Sequence, residues 1–177
     1  GLGMTKRKVM IKISSACLQL AEPFWEEETD EFDPDECRFE PSEDGEMPEP
    51  TELLTEGLLV TDEHRVELMY EESEMSGMAG SVTTIGFDRS APGLISMMRT
   101  GPVRSALVFE AGKRYSNVYE TPFSSFDLCT HTLHIENNLL TAGTLSLEYI
   151  LSFQGTQSEH CSMEVSVKPV KNLLSEL

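Results

Sequence analysis

The sequence predicts an all-β fold, a small closed antiparallel meander barrel of about 8–10 strands. From Thr51 to Val170, apolar and polar residues alternate with a period of two, which is typical of strands with one buried and one solvated face. Turn-forming residues interrupt the alternation at short intervals and leave little room for helices. One acidic, proline-rich segment, residues 21–50, departs from the pattern and is predicted to be an insertion between the first two strands.

The strands follow from the alternation, element by element. The first predicted strand spans Val9–Leu18, and about ten strands fit the whole chain. Polar residues on every second position favour antiparallel pairing, because strands of a parallel sheet are apolar on both faces. The residues expected to line the barrel are Leu68, Tyr70, Leu107, Phe109, Leu147, Tyr149 and Val165.

Turn chemistry then fixes the connections. The predicted turns lie at residues 62–64, 75–80, 89–93, 100–102, 111–112, 121–122, 137–143 and 154–158. Hairpin follows hairpin with no long Greek-key connection, which favours a barrel over a sandwich. Closure would also remove the edge strands that an open sheet exposes. Residues 172–177 are expected to form a short helical turn or a frayed end.

The negative charge is concentrated in the insertion. The chain has 31 acidic and 13 basic residues, a net charge of −18, and 16 of the acids lie between Glu22 and Glu56 with one base. Elsewhere, 15 acids face 12 bases, so the barrel itself is nearly neutral. Because such a chain repels phosphates and anionic lipids, we expect neither nucleic acid nor a membrane as a partner. We expect residues 1–177 to form one domain, with Gly1–Gly3 as a cloning remnant.

The acidic insertion has two interpretations. Residues 21–50 hold five of the nine prolines, which suits a solvated loop. The segment also carries aromatic residues that would suit docking on this barrel or on a partner protein: Phe24, Trp25, Phe32 and Phe39.

The positions of the cysteines and histidines indicate the cellular compartment and whether the chain binds a metal ion. Cys17, Cys37, Cys129 and Cys161 are far apart with no Cys-x-x-Cys, so we expect reduced thiols and a cytoplasmic location. Cys129, His131 and His134 could in principle bind zinc, with His160 and Cys161 as possible further ligands. In an uninterrupted strand, however, His134 would point away from Cys129 and His131. We therefore expect no metal and no cofactor.

The central part of the chain resembles the YwiB-like family. The resemblance rests on the order and spacing of segments at 68–72, 81–85, 97–101, 107–112, 119, 121–123, 130, 145–149 and 163–165. It implies a bacterial, calycin-type β-barrel, related in architecture to lipocalins and fatty-acid-binding proteins, with no established activity. The insertion at residues 21–50 is longer than the hairpin typical of the family. Ser124 also stands where a glycine often follows the Pro-aromatic pair.

The candidate ligand-binding residues are Arg99, Arg104, Tyr70, Tyr115 and Tyr119. The two arginines flank the turn at 100–102, and a guanidinium at the barrel rim would suit a carboxylate or a phosphate. Tyr115 and Tyr119 share a face of the following strand and could add hydroxyl donors, while Tyr70 is among the lining residues. The alternative is that both arginines are solvated or pair with glutamates such as Glu110.

These observations predict a non-enzymatic barrel that binds a small, partly apolar molecule, which could be anionic. Glu71, Glu72 and Glu74 offer carboxylates near a turn, but a solvated strand end explains them equally well, and no nucleophile motif occurs. We therefore expect no catalytic residues. The alternative function is a protein-interaction or regulatory module that uses the insertion or an outer sheet face, with a protein partner or a second copy of the chain.

Overall fold

The computed structural model describes residues 3–21, 31–36, 49–153 and 157–170. It contains ten strands, as the alternation predicts, and their bounds match the predicted turns closely. The strands are β1 Thr5–Gln19, β2 Thr51–Thr61, β3 Arg65–Glu71, β4 Val82–Asp88, β5 Leu94–Thr100, β6 Ser105–Glu110, β7 Arg114–Glu120, β8 Ser125–Asn138, β9 Thr144–Phe153 and β10 Gln157–Pro169. Short helical turns cover Pro34–Glu36, Glu74–Ser76 and Leu139–Ala142 (α1). The predicted C-terminal turn at 172–177 lies outside the described residues. None of the helical segments described is long and apolar enough to span a membrane.

The strands form one antiparallel sheet that curls into a nearly closed barrel. Their order is β6-β5-β4-β3-β2-β1-β10-β9-β8-β7, so each strand lies beside its neighbours in sequence and β1 pairs with β10. Because successive strands alternate in direction, the β3–β4, β5–β6, β7–β8 and β9–β10 connections lie at one end of the barrel. We call this end the mouth. The predicted antiparallel meander barrel is thus confirmed.

The barrel closes along a seam between β6 and β7. These strands meet through an isolated bridge, in which Arg104 and Glu120 exchange backbone hydrogen bonds of 2.9 and 2.8 Å. Below the bridge, the Thr130 hydroxyl donates to the Val108 carbonyl at 2.6 Å. The ladder is continuous around the rest of the barrel, so the seam is its least hydrogen-bonded junction.

Side chains fill the barrel interior. The interior holds a single apolar cluster formed by residues from both halves of the sheet. Its completely buried members include Ile11, Val66, Leu68, Ile85 and Phe109. The residues predicted to line the barrel all belong to this cluster, with Leu107 half-buried and the other six buried. Burial of this apolar surface is the main force that stabilises the fold. The interior is therefore a packed core at this level.

Part of the acidic insertion docks on the outside of the barrel. The Phe32 backbone N–H donates to the Gly112 carbonyl at 2.7 Å, and the Phe32 ring lies 5.8 Å from that of His131, centroid to centroid. Phe32 also packs on a small outer cluster of Leu20, Leu133 and Ile150. Docking on this barrel is thus the correct interpretation for Phe32. Phe24, Trp25 and Phe39 lie outside the described residues.

The expectation of four reduced cysteines is wrong for two of them. Cys17 and Cys161 face each other across the β1–β10 ladder, with Cα atoms 4.1 Å apart, and form a disulfide. The sequence could not show this pairing, because the two residues are 144 positions apart. Cys129 is a free, half-buried thiol, and Cys37 lies outside the described residues.

Candidate functional site

A polar cluster lies inside the barrel near the mouth, on top of the apolar core. It consists of Tyr70 at the end of β3, Glu72 just after it, Thr83 on β4 and Arg99 on β5. The β3–β4 and β4–β5 registers place Thr83 between Tyr70 and Arg99, so strand pairing alone brings these three side chains together. Glu72 joins them because its backbone continues the β3–β4 pairing, donating to the Ser81 carbonyl at 2.8 Å.

The cluster is a buried, hydrogen-bonded ion pair. The Thr83 hydroxyl donates to a Glu72 carboxylate oxygen at 2.7 Å and accepts from Arg99 Nε at 3.0 Å. Arg99 Nη2 lies 3.4 Å from the same Glu72 oxygen. The Arg99 side chain is only 11% exposed and that of Glu72 only 2% exposed. Charged groups that are this deeply buried need a counter-charge. Arg99 and Glu72 each provide the counter-charge for the other.

Two tyrosines border the ion pair as neutral hydroxyls. Burial raises the pKa of Tyr70, and the nearby Glu72 charge raises it further, against an opposing effect of Arg99. Burial likewise raises the pKa of Tyr149 to about 12, with Glu159 adding to the rise and Arg99 opposing it. Both phenols are therefore protonated at neutral pH, and the Tyr70 hydroxyl interacts with Thr83 and Glu72 of the cluster.

Arg99 keeps unused hydrogen-bonding capacity. Its Nε and Nη2 atoms bind Thr83 and Glu72, whereas its Nη1 atom has no hydrogen-bond partner among the residues that the structure describes. The Arg99 side chain keeps 11% of its surface exposed, and the residue lies one position before the mouth end of β5. The arrangement can accept one anionic or carbonyl oxygen from outside without dismantling the ion pair.

The rim above the cluster is held together by Ser81. The Val103 N–H donates to the Ser81 hydroxyl at 3.0 Å, which ties the start of β4 to the β5–β6 connection. The loops of this rim also carry two strongly exposed apolar side chains, Met75 at 93% and Phe123 at 96%. An apolar part of a ligand would find contact surface there.

Only two of the five residues predicted to bind a ligand lie in the polar cluster. Arg99 and Tyr70 belong to the cluster. Arg104 is exposed and contributes its backbone to the seam rather than its side chain to the cluster. The Tyr115 hydroxyl donates to Glu110 at 2.8 Å at the end opposite the mouth, and Tyr119 stacks on Phe126 with ring centroids 5.0 Å apart.

Sequence reasoning missed Glu72, Thr83 and Tyr149 as members of the site. The signal for Glu72 was present, since Val66, Leu68 and Tyr70 are inward and the alternation places residue 72 on the same face. Thr83 carries no comparable signal, because a threonine on a strand usually only reflects β propensity.

The histidine region differs in one respect from the prediction. A β-bulge between Thr132 and His134 turns His134 to the outer face, the same face as Cys129 and His131. The claim that His134 points away from them is therefore wrong. The three still do not gather: among the described residues, the metal-ligating side chains found close together are Cys17, Glu159 and Cys161.

Comparisons with known proteins place the chain in a family. The family model described as "Domain of unknown function (DUF1934)" matches residues 38–165. The crystal structure of the ywiB protein from Bacillus subtilis is similar, with a TM-score of 0.67, 16% sequence identity, and coverage of 95% of this chain and 96% of that one. No curated protein matches the chain. The chain therefore belongs to the DUF1934 family of YwiB-like domains of unknown function.

Proposed function

We propose that this protein is a non-enzymatic binding barrel that takes a small, partly apolar, anionic molecule at its mouth. The observation that carries the proposal is the Nη1 donor of Arg99, which has no hydrogen-bond partner among the described residues while Glu72 and Thr83 hold the rest of the guanidinium in place. A guanidinium fixed in this way needs no reorganisation to bind a carboxylate or sulfonate oxygen.

The packed core limits where the ligand lies. Leu68, Phe109 and Leu147 fill the space below the ion pair, so the ligand would sit above Arg99 and not in a deep lumen. Tyr149 offers a second donor at this level, and Met75 and Phe123 supply apolar surface at the rim. This geometry favours a short amphiphile over a long acyl chain.

The test uses anilinonaphthalene sulfonate, an apolar anion whose fluorescence rises on binding. We expect the wild-type protein to bind one probe per chain. The double variant Glu72→Gln/Arg99→Gln, which removes both charges together, should bind at least about tenfold more weakly. Arg104→Gln is the matched control, since Arg104 is exposed and outside the cluster, and it should bind like wild type. Absence of binding by wild type, or equal binding by the double variant, would refute the proposal.

A second candidate function is a protein-interaction module that uses an outer sheet face. A groove of about 360 Å³ lies over β2, β1 and β10, where Leu54 is 70% exposed opposite Lys12, next to the Lys12–Glu52 ion pair. Native mass spectrometry of the protein purified from its own host separates the two functions. A bound small molecule supports the barrel site, and a bound protein or a second copy of the chain supports the outer face.

We further propose a cytoplasmic location, with neither nucleic acid nor a membrane as partner. The net charge of −18 supports the exclusion of polyanionic partners. In a reducing cytoplasm a disulfide such as Cys17–Cys161 would be transient, as redox-sensing disulfides are.

A further inference from the structure

Cys17, Glu159 and Cys161 form a compact group of metal-ligating side chains at the mouth end of β1 and β10. The two cysteines are directly opposite in the ladder, and Glu159 precedes Cys161 by two residues, so it lies on the same face of β10. The ligand atoms of the three side chains lie within 4.8 Å of one another. The three residues are distinct from the four that make up the Arg99 cluster, although the Glu159 charge acts on Tyr149, which borders that cluster.

We propose that reduction of the Cys17–Cys161 disulfide converts this group into a binding site for one thiophilic divalent cation, with Zn²⁺ as the best match. Two thiolate sulfurs and one carboxylate oxygen are a donor set that zinc accepts in its tetrahedral geometry. Strand pairing holds the two sulfurs within reach of one ion whatever their redox state. A water molecule would occupy the fourth position.

Exposure makes the disulfide accessible to a reductant. Cys17 is exposed, whereas Cys161 is 1% exposed. A small dithiol can therefore attack Cys17, and exposed disulfides of this kind are the labile ones. The dithiol gives up two electrons and two protons and becomes a disulfide, while Cys17 and Cys161 become thiols. Metal binding then releases both thiol protons to water.

The redox state therefore selects between two crosslinks. In the oxidised protein the sulfurs are bonded to each other, no thiolate remains, and the metal has no sulfur ligands. In the reduced protein the metal would join the same two strands, β1 and β10, through the same side chains. The barrel would keep its link between first and last strand in both states.

The test is Co²⁺ binding, because Co²⁺ replaces Zn²⁺ and gives a thiolate-to-cobalt charge-transfer absorption. All proteins carry Cys37→Ser to remove an unrelated thiol. We expect the dithiol-reduced protein to bind one Co²⁺ with this absorption, and added Zn²⁺ to displace it. The matched control Cys129→Ser removes the free thiol and should bind identically.

Oxidation and two substitutions are each expected to abolish or weaken Co²⁺ binding. The oxidised protein and Cys17→Ser should show no thiolate-to-cobalt absorption, and Glu159→Gln should bind Co²⁺ roughly tenfold more weakly or worse. Cys17 is chosen over the buried Cys161 because its substitution leaves the core intact, and circular dichroism checks the fold of each variant. Lack of the absorption in the reduced protein, its persistence in Cys17→Ser, or unchanged affinity in Glu159→Gln would each overturn the proposal.

Discussion

Arg99 and Glu72 form an ion pair inside a β-barrel, with Nη2 and Oε1 3.4 Å apart and both side chains almost fully withdrawn from water. The two residues come from different hairpins, 27 positions apart, and Thr83 bridges them. Such a pair contributes less to the free energy of unfolding than is lost when one partner is removed. The remaining buried charge then has no counter-charge.

Glu72→Gln should therefore lower the free energy of unfolding by about 3–5 kcal/mol, since it leaves the Arg99 charge buried without a counter-charge. The double variant Glu72→Gln/Arg99→Gln should recover part of this loss. Urea unfolding measures both effects. The exposed pair Lys12–Glu52, 3.6 Å apart, is the control: Lys12→Gln should cost less than about 1 kcal/mol. A cost for Glu72→Gln no larger than that of the control would contradict this view of the pair.

Phe109→Ala should destabilise the barrel by about 3–5 kcal/mol, because Phe109 is completely buried and its ring lies 4.9 Å from that of Tyr149, centroid to centroid. Phe123→Ala removes the same side chain from a 96% exposed position and should change stability by no more than about 0.5 kcal/mol. Thermal unfolding of the two variants side by side makes the comparison. Similar melting temperatures would show that the interior is not packed as described.

Gly143→Ala should destabilise the protein more than Gly77→Ala. Both glycines have positive φ, 72° and 76°, so alanine is strained at either position. A Cβ at Gly143 would also approach the Val167 carbonyl oxygen to 2.5 Å, whereas a Cβ at Gly77 would meet nothing within 4 Å. Chemical denaturation should thus rank Gly77→Ala nearer to wild type, and the reverse order would disprove the close approach of Gly143 to β10.

Stability should fall as the pH decreases from 6.5 toward 4, in part because of His131. Burial, and secondarily the Arg114 charge, lowers the pKa of His131 from 6.5 to about 4. Between these two pKa values the unfolded chain binds a proton at His131 that the folded protein does not bind. The contribution of His131 to the free energy of unfolding is therefore complete above pH 6.5 and is lost as the pH falls through this window. His131→Gln should have a shallower dependence of melting temperature on pH. His64→Gln, at an exposed site, should keep the wild-type slope; equal slopes in all three proteins would exclude His131.

Much of the fold could be predicted because, in antiparallel strands, the alternation of apolar and polar residues shows directly which face of each strand is buried. Leu68, Phe109 and Val165 alternate with polar neighbours, and each lies inside as expected. The bulge at Thr132/His134 could not be predicted, since one extra residue in a strand leaves no local mark in composition. Its effect was to reverse the face of every residue that follows it on β8.

The candidate site was only half predictable. Arg99 was identified from its place beside a turn, but the same argument selected Arg104, which is exposed. Strand register separates them: Arg99 pairs with Thr83 on β4, while Arg104 lies beyond the end of the β5–β6 ladder. Register over long separations also decides the Cys17–Cys161 pair, and a single sequence contains no measure of it.

The seam between β6 and β7 makes the barrel mechanically uneven. Elsewhere, spreading two neighbouring strands means breaking a whole row of amide–carbonyl bonds, but here the Arg104–Glu120 bridge is the main backbone link. Fluctuations that admit solvent to the interior should start along this line. The amide protons of Arg104 and Glu120 would then exchange with deuterium well before those of Ile11 and Ile13, which sit where β1 is paired on both sides.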